Sequence, residues 1–330
     1  MKILVTGSSG HLGEALMRTL RPSQHQVVGV DIAASPWTDI VGTIADRATV
    51  AHCMRGVDAV LHAATLHKPH VATHSRQEFV DTNITGTLNL LEEAKAANVR
   101  AFIFTSTTST FGRALVPAPG QPAAWIDEDV EPVPKNIYGV TKTAAEDLCA
   151  LFARNWKLPC LVLRTSRFFP EEDDHKERRE SYADANLKAN EFLYRRVDVA
   201  DIVDAHLLAI ERAAQLGFRK YIISATTPFA REDLDELRSD APAVVARRVP
   251  GYAEVYARAG WRMLPSIDRV YDNARARNEL IWRPKYDFAH VIASLRAGRD
   301  FRSALAQAIG AKGYHDEIFE DGPFPVEHHD

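Results

Sequence analysis

Lys2-Ile3-Leu4-Val5-Thr6-Gly7-Ser8-Ser9-Gly10-His11-Leu12-Gly13 opens the chain. It reads as a short apolar strand, a glycine turn with the spacing GxxGxxG, and the start of a helix that continues Glu14-Ala15-Leu16-Met17-Arg18-Thr19-Leu20. Backbone can approach a pyrophosphate only where side chains are missing, and the amides that open a helix attract anions. The next apolar run, Val27-Val28-Gly29-Val30, ends on Asp31. In a βαβ unit a carboxylate there accepts hydrogen bonds from the adenosine ribose and repels a 2′-phosphate. The stretch therefore points to a bound dinucleotide, NAD rather than NADP. A plain βα turn beside an incidental surface Asp accounts for the glycines less well.

Outward from this stretch the alternation continues. Residues 59–64, 101–105, 158–163 and 220–224 read as further buried strands, and residues 80–97, 144–156 and 197–212 as helices. Continuous apolar strands with helices between them indicate a parallel sheet covered on both faces. The expected fold is α/β, a Rossmann-type doubly wound parallel sheet with a smaller C-terminal substrate-binding lobe. Residues 1–167 form the NAD-binding domain, 197–225 return to it, and 168–196 with 226–330 build the lobe. Residues 171–180, EEDDHKERRE, are too charged for a core and are expected as a solvated loop or mobile flap.

Bulk properties narrow the function classes. The 330 residues are 46% hydrophobic and 25% charged, with a formal net charge of -4. That balance gives no general attraction for nucleic acid or an anionic membrane. Cys53, Cys149 and Cys160 are scattered without CxxC spacing, which disfavours a disulfide framework or a zinc site. No stretch approaches the roughly 18 apolar residues that span a bilayer. The first strand begins at residue 2, which leaves no room for a signal peptide, so a cytoplasmic enzyme is expected.

Tyr138-Gly139-Val140-Thr141-Lys142 carries the second strong pattern. Four residues apart on a helix is one turn apart on the same face. A phenol titrates near pH 10 and is a poor base at neutrality, whereas a neighbouring ammonium stabilises the phenolate and lowers that value. The pair then accepts or returns a hydroxyl proton, and the ammonium can also bind a ribose. The strand at 101–105 ends in Ser106-Thr107-Thr108-Ser109-Thr110, and hydroxyls at the carboxyl end of a parallel strand sit where such sheets bind ligands. Most of them are expected to satisfy their own turn.

His67, His70 and His74 have HxxHxxxH spacing, but Pro69 interrupts it and no acidic partner is evident. They are expected as polar residues near the substrate mouth rather than as a metal site. Arg195 and Arg196 suit either an anionic substrate or a solvated surface. His328 and His329 read as a disordered end.

On these motifs the chain resembles the extended short-chain dehydrogenases/reductases of the NAD-dependent epimerase/dehydratase group, from residue 2 to about residue 225. TGSSGHLG, with Gly7, Gly10, His11, Leu12 and Gly13, resembles the family's cofactor loop. LHAAT, with Ala63 and Ala64, resembles the stretch lining the cofactor phosphates and ribose. Asn83, within DTNITGTLNLLEEAKAANV, matches the family's central Asn. FTSTTSTFG matches the strand-end motif and places the catalytic Ser/Thr on Thr107, while YGVTK supplies Tyr138 and Lys142. The resemblance implies that Tyr138 moves a proton while hydride passes to or from nicotinamide C4, with Lys142 holding the nicotinamide ribose.

Departures from the family pattern carry information. The acidic pair that family dehydratases use is Thr108 and Ser109 here, which disfavours sugar dehydration. Phe111 keeps the ring of the usual aromatic but loses its hydroxyl. Thr43 replaces an adenine-contacting Asp, so adenine is expected to rest on Ile44. Arg167 stands where many nucleotide-sugar epimerases have an Asn, and a guanidinium suits a carboxylate or phosphate.

The resemblance implies an NAD-dependent oxidoreductase or epimerase acting at a secondary alcohol or ketone of a sugar or sugar derivative. Alternatives are a uronic-acid or aldose dehydrogenase, and a non-catalytic NAD-sensing protein. Family analogy also implies a homodimer through the helices carrying residues 80–97 and 139–155.

Overall fold

The computed structural model describes residues 1–313 together with 317 and 319, so His328 and His329 lie outside the described residues. Its strands are β1 (Lys2–Thr6), β2 (Gln26–Asp31), β3 (Ile40–Val41), β4 (Ala59–His62), β5 (Ala101–Thr107), β6 (Ala124–Ile126), β7 (Cys160–Thr165), β8 (Phe218–Ile223) and β9 (Arg269–Tyr271). Seven of them form one parallel sheet in the order β3-β2-β1-β4-β5-β7-β8. The order reverses between β1 and β4, and in such sheets the crevice beyond the strand ends at that point receives the ligand.

Period-two alternation builds both faces of this sheet. Ile3, Val5, Leu61, Ile103, Leu161 and Leu163 pack under the helices His11–Leu20 and Val199–Leu216. Their neighbours Leu4, Val60, Phe102, Phe104 and Val162 pack under Arg47–Cys53, Gly86–Ala96 and Ile137–Trp156. The strands are thus apolar on both sides, as a doubly covered sheet requires.

Several boundaries differ from expectation for identifiable reasons. The helix at 80–97 begins with a wider turn over Val80–Thr85, where the Gly86 amide reaches back five residues to the Asp81 carbonyl. The helix expected at 144–156 starts at Ile137 because the Asn136 side chain accepts the Gly139 amide at 3.0 Å. The short β6 and β9 pair in a separate parallel ladder, joining residues far apart in sequence.

The lobe has its own core of Leu187, Phe192, Leu237, Val244, Tyr256, Phe288 and Ile292. It does not own all of 226–330, because Ala276, Leu280 and Trp282 pack with the sheet, and the Trp282 indole donates to the Asp201 carbonyl at 2.9 Å. Segment 171–180 is not the solvated flap expected. Glu171, Asp173 and Asp174 turn inward to His11, Arg195 and Lys68, and Lys176–Ser181 forms a short helix.

Candidate active site

The glycine turn leaves β1 with Gly7 at φ +71°. A Cβ on Gly13 would sit 1.8 Å from the Gly7 carbonyl oxygen, and one on Gly7 would press on the Ala64 amide at 2.7 Å. Gly10 heads the His11–Leu20 helix with no side-chain cap, so the amides of its first turn face the crevice without a partner from this helix. This is a cradle for an anion.

Asp31 ends β2 and accepts from the Ser9 amide at 3.0 Å and the Ala33 amide at 2.9 Å. The Thr6 hydroxyl underpins the loop, accepting from the amides of Ala63 at 3.2 Å and Ala64 at 3.1 Å. It also meets the buried His62 ring at 2.8 Å, whose other nitrogen meets Thr87 at 2.9 Å. Burial, with the Lys142 charge in support, holds His62 well below its ordinary value and hence neutral.

A cavity of about 1060 Å³ runs from this loop across the strand ends. Gly7, Gly10, His11, Leu12, Gly13, Asp31, Ile44, Ala63, Ala64, Thr107, Tyr138, Lys142 and Arg167 all line it. Asn83 does not. It is buried, with its amide spent on the Leu66 amide and carbonyl and on Thr141. In place of the cofactor contact expected, Asn83 ties the loop after β4 to the helix bearing Tyr138.

That helix is held close to β5, since a Cβ on Gly139 would lie 3.1 Å from the Ser109 carbonyl oxygen. Tyr138 is hydrogen-bonded to the Thr107 hydroxyl, which also accepts the Ser109 amide at 3.1 Å. Lys142 Nζ donates to the Thr105 carbonyl at 2.6 Å and lies 4.0 Å from the Phe104 ring centre.

The expected acidification of the phenol is not what this geometry produces. Burial pushes Tyr138 up to about 12, with the Thr107 hydroxyl opposing. Burial likewise brings Lys142 down to about 7, opposed by the Glu146 carboxylate. The ammonium is directed to β5, and the phenol keeps its proton.

Glu146 is a residue the motif reading missed. It lies one turn beyond Lys142, fully buried, and receives Ser106 Oγ at 2.6 Å, Arg164 Nη2 at 2.7 Å and Lys220 Nζ at 2.9 Å. Its i, i+4 spacing from Lys142 was visible in the sequence. Its partner Arg164, inside an apolar strand, gave a second signal.

At the other end of the cavity, Arg167 Nη2 donates to the Glu172 carbonyl at 2.8 Å, and Nη1 lies 3.7 Å from both Asp173 and Asp174. Arg195 and Arg196 are not solvated. Arg195 pairs with Asp173 at 2.6 Å, and Arg196 with the buried Glu191 at 2.7 Å. The rings of His67, His70 and His74 follow one another at 4.7 and 5.0 Å along the cavity wall. Among the described residues, no cluster of three or more His, Cys, Asp or Glu is placed to hold a metal ion.

A dinucleotide loop, a buried Tyr-Lys pair and a strand-end hydroxyl on a doubly wound sheet define a short-chain dehydrogenase/reductase of the extended type. A sequence profile described as the NAD dependent epimerase/dehydratase family matches residues 3–223. The chain belongs to that family, and NAD, the dinucleotide its loop and Asp31 suit, is its cofactor.

It is 24% identical to a UDP-glucose 4-epimerase of Lactobacillus helveticus, over 87% of this chain and 93% of that protein. A uronate dehydrogenase of Pseudomonas syringae pv. tomato is 27% identical over 53% of this chain and 62% of the relative. The chain spans only about half the length of two further relatives that it matches. An Agrobacterium tumefaciens short-chain dehydrogenase/reductase superfamily structure with bound NAD superposes with a TM-score of 0.62 at 22% identity, covering 90% of this chain and 98% of that one. Among the described residues, no helix is long and apolar enough to cross a membrane.

Proposed function

We propose that the chain catalyses NAD-dependent oxidoreduction at a secondary alcohol or ketone of a sugar or sugar derivative. The observation that carries this reading is the Tyr138–Thr107 hydrogen bond, made at the wall of a cavity whose other end is the glycine cradle. The sugar-acting relatives suggest the substrate class.

In this assignment Gly7, Gly10 and Gly13 admit the pyrophosphate to the amides of the His11–Leu20 helix, and Asp31 receives the adenosine ribose. Ala63 and Ala64 wall the phosphates, and Ile44 supports the adenine. Bound there, NAD supplies a hydride acceptor next to the substrate carbon.

Thr107 orients the substrate oxygen and Tyr138 Oη exchanges its proton. The phenol, protonated in this geometry, is ready to act as the acid for ketone reduction. For alcohol oxidation its affinity for the proton must fall. Lys142, one turn along the same face, would lower it once its ammonium turns from the Thr105 carbonyl toward the phenol. Thr108 and Ser109 offer no carboxyl to expel water, so dehydration is not proposed.

The second reading is net dehydrogenation rather than epimerisation, favoured by Arg167 and its surroundings at the substrate end. The purified protein is incubated with NAD and a panel of sugars, uronic acids and nucleotide sugars. NADH accumulation supports a dehydrogenase, and isomer exchange without it an epimerase. Tight NAD binding with no turnover across the panel would revive the NAD-sensing alternative. The homodimer proposal rests on Leu88 and Val140, exposed on the two helices concerned, and a monomer in light scattering would sink it.

A further inference from the structure

We propose that Asp173 and Asp174 are specificity-determining residues: they set the substrate end of the cavity to accept one negative charge and to reject a diphosphate. The inference deepens the oxidoreductase reading and rests on it only in placing the substrate at this end.

Lys68, Arg167, Arg178, Arg195 and Arg269 all line that end of the cavity. Most of this positive charge is already matched by the chain itself. Asp174 Oδ2 lies 2.6 Å from Lys68 Nζ, Asp173 Oδ2 lies 2.6 Å from Arg195 Nη2, and Arg167 stands 3.7 Å from both carboxylates. Arg269 pairs with Asp268 at 3.0 Å. Asp173 is fixed further, because its carbonyl accepts from Arg179 Nη1 at 2.6 Å.

What is left over points to a ligand. Arg178 has no carboxylate partner among the described residues. Buried guanidinium atoms Arg167 Nε, Arg178 Nη1, Arg195 Nε and Arg269 Nε make no hydrogen bond. Buried donors are almost always satisfied, so several orphans on one cavity wall mark a place for an incoming acceptor. Planar guanidinium groups favour oxyanions. Among the described residues Glu191 also neighbours Arg167 and Arg195, so of these five cations Arg178 alone has no carboxylate within 4.0 Å, and one such guanidinium matches a single carboxylate. A diphosphate brings at least two charges and would have to settle beside Asp173 and Asp174, whose like charge opposes it.

The test uses the NAD-loaded protein and calorimetric binding of two probes, D-galacturonate and UDP-glucose, so it needs no turnover. The wild type is expected to bind galacturonate in preference to UDP-glucose. The double variant Asp173→Asn/Asp174→Asn is expected to gain about tenfold or more in UDP-glucose affinity, since removing like charges near a ligand typically shifts binding by that order. Asp174→Asn alone must move the same way by a smaller factor, which guards against disruption at the more buried Asp173. Unchanged NAD affinity shows that the variants keep the fold. No gain by the variants, or UDP-glucose preferred by the wild type, overturns the proposal. That result leaves the Tyr138 assignment standing, while loss of the Tyr138 assignment leaves this charge discrimination intact.

Discussion

Lys142 Nζ reaches across to β5 and donates to the carbonyl of Thr105, while the phenol one turn back meets the hydroxyl of Thr107 on the same strand. Two residues of one helix are thereby registered against two residues of one strand, and the phenol proposed to transfer the proton is fixed relative to the sheet. Tyr138→Phe keeps the ring and removes the hydroxyl proposed to move the proton. Turnover is expected to fall by roughly 100-fold or more, the range of general acid–base contributions. NAD binding, followed by fluorescence titration, is expected to persist. Full activity in the variant would refute the assignment.

Glu146 is expected to matter for stability more than its distance from the substrate suggests. Replacing it by Gln leaves Arg164 buried without its anion, and breaking such a pair costs about 3–5 kcal/mol. Urea unfolding of Glu146→Gln should show a loss of that size. A loss near zero would mean that the Glu128 carbonyl and the amide oxygen of the new Gln suffice for Arg164.

Gly13→Ala tests the cradle. The added carbon would lie inside the Gly7 carbonyl oxygen, so the loop must open. NAD affinity is expected to fall by about tenfold or more, with a smaller effect on melting, because the displaced backbone is the surface that approaches the phosphates. Equal NAD affinity by calorimetry would contradict the geometry.

Asp31→Asn removes the charge that opposes a 2′-phosphate. The preference for NAD over NADP should narrow by about tenfold, the effect of roughly 1.4 kcal/mol. Parallel calorimetric titrations with both cofactors read it. An unchanged ratio would move cofactor selection elsewhere.

Glu171 supplies the pH prediction. Burial raises its carboxyl, but the His11 hydrogen bond at 2.9 Å and the Lys312 amide outweigh that and bring it down to about 2 from 4.5. A depressed carboxyl stabilises the fold above its unfolded value and loses that contribution as pH falls through the folded one. Stability should therefore decline between about pH 4.5 and 2, by up to roughly 3 kcal/mol from this group. Glu171→Gln should flatten that part of the acid-unfolding curve, and an identical curve would show that the pair contributes nothing.

What the sequence revealed was what lies close along the chain. The glycine loop, Asp31 and the Tyr138–Lys142 turn are local patterns, and alternation of apolar strands and helices fixes the sheet without knowledge of contacts. The inward fold of Glu171, Asp173 and Asp174 was hidden because their partners come from elsewhere. Lys68 is 106 positions from Asp174, and Arg195 is 22 from Asp173. A run of alternating charge looks solvated until those partners are known. Asn83 misled for the opposite reason. Its family position is clear, yet its amide is used entirely inside the protein.

One more contact ties distant parts together. Lys312 pairs through its ammonium with Glu14 in the first turns of the opening helix, and its amide donates to Glu171 at 3.0 Å. The last described stretch is thus buttoned onto the first crossover of the sheet, right beside the nucleotide cradle. Trimming the polypeptide at residue 311 would take one partner from the opening helix and one from Glu171 in a single cut.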